Sequence, residues 1–105
     1  MTPAQSIALI QRTVAGHYGL TVEQMLKPKH TAAIVWPRSE AIYIASLVVP
    51  RFLWGHIFAA FRRENSQDFV KLCIARVKTR ILLEPKYRWS VDRLAHAVSE
   101  ALKAP

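Results

Sequence analysis

The run "AIYIASLVVPRFLWGHIFAAF", residues 41 to 61, constrains this chain more than any other feature. Its length alone would cross a bilayer. Pro50, Arg51 and His56 stand at its centre, however, where a charge costs at least about 2.5 kcal/mol on insertion scales. The run therefore predicts two buried helices broken at Pro50. A chain of 105 residues is about one domain by size, so a single unit, 1–105, is expected to carry the whole function. The chain is 51% hydrophobic. That content excludes a disordered chain, and the scarcity of glycine, three residues in all, favours helices.

Helical spacing recurs on either side of that run. In "PAQSIALIQRTVAGHYGL" Ile7, Ile10, Val14 and Tyr18 share one face, and Gly19 stands where a C-terminal cap belongs. Thr21 and Gln24 form a capping-box pattern that opens a short second helix ending near Lys27-Pro28. A basic loop, "KPKHTAAIVW", is expected next. Pro37 suits the first position of a third helix, with Ala41, Ile44, Ala45 and Val48 inward. "RFLWGHIFAAF" supplies a fourth, and Asn65 or Ser66 caps a fifth that runs to about Leu83. Ser90 is the expected cap of the last helix, with Val91, Leu94, Val98 and Leu102 inward. The reading is all-α, six helices.

On a wheel of about 100° per residue the fifth helix separates into two faces. Phe69, Val70, Cys73, Ile74, Val77 and Ile81 form the apolar arc; Gln67, Asp68, Lys71, Lys78 and Thr79 form the polar one. Joined to the fourth helix through the short "RREN" segment, this is the layout of a helix-turn-helix.

The net charge of +8 is segregated. Residues 27 to 88 hold twelve Lys/Arg against four Asp/Glu, while the flanks cancel. Such a concentration is the electrostatic footprint of a protein that neutralises phosphates. The basic residues lie in loops and turns and do not line one helical face, which disfavours a membrane surface. Cys73 is the single cysteine and no secretory leader pattern opens the chain, so a cytoplasmic, nucleoid-associated location is expected. His17, His30, His56 and His96 are far apart, and no glycine-rich phosphate loop is present. Neither an enzyme nor a cofactor is expected.

The segment "VAGHYGLTVEQMLKPKHTAAIVWPRSEAIYIASL", residues 14 to 47, resembles the C-terminal DNA-binding domain of the bacterial chromosomal replication initiator DnaA, a fold related to Trp repressor. "YGLTVEQML" leads into a basic loop, and "PR" precedes a helix reading "AIYIA". The similarity continues more weakly through "IFAAF" and "CIARV", which extends it over about three quarters of the chain. The resemblance implies a domain that binds duplex DNA through the basic loop and a recognition helix. It implies that Arg38 matches a family arginine and that Lys27 and Lys29 match the basic loop; the minor-groove arginine is replaced by Trp36. The family's signature Phe-Gly-Gly-Arg-Asp-His-Thr-Thr-Val is here "FRRENSQDF", so the packing residues persist and the base-reading residues have been exchanged.

The exchanged residues remain competent. Asn and Gln can bond bidentately to adenine's major-groove edge, a contact worth about 1–3 kcal/mol of discrimination. Glu64 and Asp68 stabilise a helix N-terminus through its dipole. The expected DNA contacts are thus Arg62, Arg63, Arg38, Lys27 and Lys29 to phosphate, and Asn65, Ser66, Gln67 and Lys71 to base edges. The alternative is a protein-interaction module that keeps the fold and uses Trp36, Trp54 or Trp89 as anchors. Helix-turn-helix proteins often pair on two half-sites, so a homodimer is compatible with either, although no heptad seam commits the chain to one.

Overall fold

Two Thr/Gln pairs start the chain's first two helices in the same way. Thr2 and Gln5 form a capping box at the head of α1, Pro3–His17, and Thr21 and Gln24 form another at α2, Val22–Leu26. Gly19, at φ +68°, makes the left-handed step between them that an L side chain rarely adopts. The computed structural model describes residues 1–61 and 66–104, Ser66 by its backbone alone. The remaining helices are α3, Ala32–Val48; α4, Gly55–Ala60, preceded by a 3-10 turn at Arg51–Leu53; α5, Ser66–Leu83; and α6, Pro85–Lys103. No strand occurs among the described residues, and the fold is all-α.

The apolar run does break at Pro50, and its first half is the centre of the molecule. α3 touches α1, α2, α4 and α5, and it buries Ile34, Ala41, Ile42, Ile44 and Ala45 along with Pro37, Arg38, Ser39 and Glu40. The core continues through Ile7, Ile10 and Val14 of α1, Met25 of α2, Ile57 of α4, Val70, Cys73 and Ile74 of α5, and Leu94 and Val98 of α6. The two faces of α5 fall as its wheel predicts: Val70, Cys73, Ile74 and Val77 are buried, and Gln67, Asp68, Lys71, Lys78 and Thr79 are exposed.

Two helix starts differ from their sequence expectations. α3 begins five residues before Pro37, which sits inside the helix and has no N–H to give to the carbonyl one turn back. Tertiary packing overrides this local cost, because the added turn buries Ile34 and sets Trp36 edge-on against Tyr87. The basic loop shrinks accordingly to residues 27–31. α6 likewise begins at Pro85, and Ser90 lies within it. Pro85 occupies the first turn, where a missing N–H costs nothing, and the extra residues bring Tyr87 inside. Val48 is also more exposed than its stripe suggests; the helix ends there and Val49 is buried instead.

α3 carries a buried carboxylate into this core. Glu40 is 1% exposed and accepts hydrogen bonds from two phenols, Tyr18 Oη at Oε1 and Tyr87 Oη at Oε2, the latter 2.8 Å long. Glu40 thereby links the end of α1 to the first turns of α6. Burial, the bond to Glu40 and the Glu40 charge push both phenols well above the ordinary tyrosine value near 10. Unfolded tyrosines ionise first as pH rises, so this contribution is complete below about pH 10 and is lost above it. Urea unfolding between about pH 9 and 11 should show the parent losing stability faster than Tyr87→Phe above about pH 10, by up to ~1.4 kcal/mol per pH unit. Parallel curves would contradict the buried phenol–carboxylate contact.

Candidate nucleic-acid interface

A proline organises the basic loop. The residue before a proline is held extended. Lys27, before Pro28, has φ -62° and ψ 144°, and α2 stops there. The Lys29 N–H then donates to the Lys27 carbonyl at 2.8 Å. This closes a three-residue turn about Pro28. The Lys27, Lys29 and His30 side chains are left exposed on this turn.

Arg38 holds the turn from beneath. Its Nη1 donates to the Lys27 carbonyl at 2.6 Å and its Nη2 to the Lys29 carbonyl at 3.2 Å. The same guanidinium lies 5.7 Å from the centre of the Phe69 ring, in the first turns of α5. One planar cation therefore ties the basic loop to the start of the fifth helix. At 3% exposure Arg38, expected to contact phosphate, is buried, and its Nη1 and Nη2 are directed to these two carbonyls.

Gln67 and Lys71 are exposed on the helix whose N-terminal end Arg38 anchors, and their spacing of one turn puts them on the same side of it. Arg38 thus touches both the lysine turn and, through Phe69, the helix that carries Gln67 and Lys71. Arg62, Arg63 and Asn65 lie outside the described residues, as does the side chain of Ser66. Asp68 is exposed in the first turn of α5, where it complements the helix dipole.

The three tryptophans have different surroundings. Trp54 is half-buried, and its Nε1 donates to the Val49 carbonyl at 3.0 Å. Trp36 packs beneath Arg80, whose guanidinium lies 4.4 Å from the Trp36 ring centre and 4.0 Å from that of Tyr87. Only Trp89 is largely exposed, at 68%. The buried cluster and the arginine stack escape sequence reading because Glu40 stands 22 and 47 residues from its two phenols, and Trp36 is similarly remote from Arg80. No local spacing signals such contacts.

Among the described residues no three His, Cys, Asp or Glu side chains come together as metal ligands, and no helix is long and apolar enough to cross a membrane.

No family model matches the chain, and no solved structure does. Part of it does align with curated proteins. A stretch of 44 residues, 42% of the chain, is 41% identical to the chromosomal replication initiator protein DnaA of Bartonella quintana (strain Toulouse), and one of the same length is 43% identical to that of Brucella abortus biovar 1 (strain 9-941). Over 48 residues, 46% of the chain, the identity to the DnaA of Cereibacter sphaeroides (strain ATCC 17029 / ATH 2.4.9) is 42%. The alignments span only 9% to 10% of the length of these initiators, and a smaller share of this chain than the three quarters suggested by the weaker motifs. Over this shorter stretch the chain is similar to chromosomal replication initiators.

Proposed function

We propose that this chain is a duplex DNA-binding module, without catalytic activity, whose specificity differs from that of the replication initiator it resembles. The observation that carries the reading is Arg38: a single buried guanidinium couples a lysine turn to the start of an amphipathic helix with an exposed polar face. The segregated charge supports it, because all of the +8 lies between residues 27 and 88. Lys27 and Lys29 hold phosphates on one strand, while α5 enters the major groove with Gln67 and Lys71 toward base edges. Arg62, Arg63, Asn65 and Ser66 complete the surface in this reading.

Binding of a random duplex, followed by fluorescence anisotropy across a salt series, tests the proposal. Affinity should fall steeply and linearly on a log–log plot, with a slope near about −0.9 for each phosphate neutralised. Lys29→Ala should weaken all sequences alike and flatten that slope by about 0.9. Gln67→Ala should leave the slope unchanged and relax base preference in a pool selection, by about 1–3 kcal/mol at one position. Absence of binding at low ionic strength would sink the DNA reading and favour the protein-interaction alternative.

A further inference from the structure

α5 presents a second surface that the DNA reading does not use. At about 100° per residue Leu72, Ala75, Arg76, Thr79 and Leu83 fall within an arc of roughly 100°, whose centre lies roughly 110° from that of Gln67, Lys71 and Lys78. Together with Trp36, Arg80 and Glu84 these residues line an open groove of about 710 Å³. Leu72 is 48% exposed and Leu83 75%. Along α5 they stand about 16 Å apart. Exposed large apolar side chains grouped along one helix face mark an interaction surface more often than a plain solvent face.

Charge distinguishes the occupants this groove can take. Arg80 is engaged by Glu84 at 3.0 Å and lies over Trp36, so its charge is largely satisfied. Arg76 lines the groove and has no acidic partner among the described residues. A second copy of the chain would bring another +8 to the contact, which like-charge repulsion opposes. The length and apolar stripe of the groove match the helix-in-groove mode, in which residues spaced i, i+3 or i+4, and i+7 dock.

We propose that this groove seats an amphipathic helix of a partner protein, its apolar stripe flanked by aspartate or glutamate that pairs with Arg76. The partner docks on a face of α5 roughly 110° around the helix from that of Gln67 and Lys71, so that DNA and protein contact different faces of it.

The test uses the full chain and a synthetic amphipathic peptide of about 14 residues, some four helical turns, with leucines in one stripe and glutamates beside it. Saturable binding is expected, with amide shifts centred on Leu72, Arg76, Thr79 and Leu83 in heteronuclear spectra. Arg76→Glu and Leu83→Ser should each weaken it by about tenfold or more, as truncation of an interface anchor does. A peptide with lysines in place of the glutamates should not bind. Leu83→Ser, at an exposed position, should retain the parent's circular dichroism and its DNA affinity. Equal binding of the acidic and basic peptides would overturn the proposal, as would variants that bind like the parent. So would a Leu83-dependent dimer that the peptide does not disperse. A failure of DNA binding leaves this result standing, because the groove draws on neither Gln67 nor the lysine turn.

Discussion

Arg38→Met should reduce duplex affinity by about tenfold to a hundredfold, equivalent to ~1.4–2.8 kcal/mol, more than any single lysine of the loop. The reason is geometric. Methionine keeps much of the stem that fills the space beside Phe69 but supplies no donors, so the Lys27 and Lys29 carbonyls are released at once. Both ammonium groups then lose their position and must be ordered again on binding. Arg38→Lys should recover only part of the affinity, since a point ammonium on a flexible stem does not reproduce a planar fork spanning two carbonyls. The cost to folding should be smaller than that of an orphaned core group, about 1–3 kcal/mol at most, because the freed carbonyls belong to an exposed turn and can bond to water. Urea unfolding and anisotropy on the same preparations separate the two effects. An Arg38→Met protein with the parent's affinity and salt slope would show that the loop plays no part in binding.

The largest stability effect should come from the double variant Tyr18→Phe/Tyr87→Phe. It removes both phenolic donors to Glu40 and leaves a buried carboxylate without them, at a cost of about 3–5 kcal/mol. A domain of this size has about 5–15 kcal/mol in total, so the variant should sit near its folding threshold. At roughly 4 °C per kcal/mol the melting temperature should fall by about 12–20 °C. Each single variant should cost about 1–3 kcal/mol, the penalty for one lost bond to a charged acceptor. Adding Glu40→Leu to the double variant should restore most of the loss, because replacing every member of a polar cluster by apolar groups of similar size is close to neutral. If the double variant melts with the parent, or if Glu40→Leu makes it worse, the phenols are not what stabilises the carboxylate.

Helix identity was legible in this chain wherever the signal is local. The capping box at Thr21, the left-handed glycine at 19, the break at Pro50 and the two faces of α5 all follow from residues within one or two turns of each other. Helix starts at residues 32 and 85 were not legible, because Pro37 and Ser90 argue locally for later starts and distant burial decides the matter. Burial of Ile34 and Tyr87 accompanies five further residues in α3 and six in α6. That Lys27, Lys29, Gln67 and Lys71 are exposed was legible, since charged and amide side chains are recognisable by type. The part Arg38 plays was not.

The sequence by itself determined that the chain is helical, that its positive charge is concentrated between residues 27 and 88, and that the fifth helix has one face for the core and another for solvent. Periodicity, caps and formal charge are properties of neighbouring residues, and they need no fold to be counted. Only the tertiary structure decided that Arg38 faces inward, that Glu40 is shared between two tyrosines from opposite ends of the chain, and that Trp36 lies beneath Arg80 beside an open groove. Each is a contact between segments far apart in sequence, where a polar or aromatic side chain is placed by the partner that satisfies it and not by its own type.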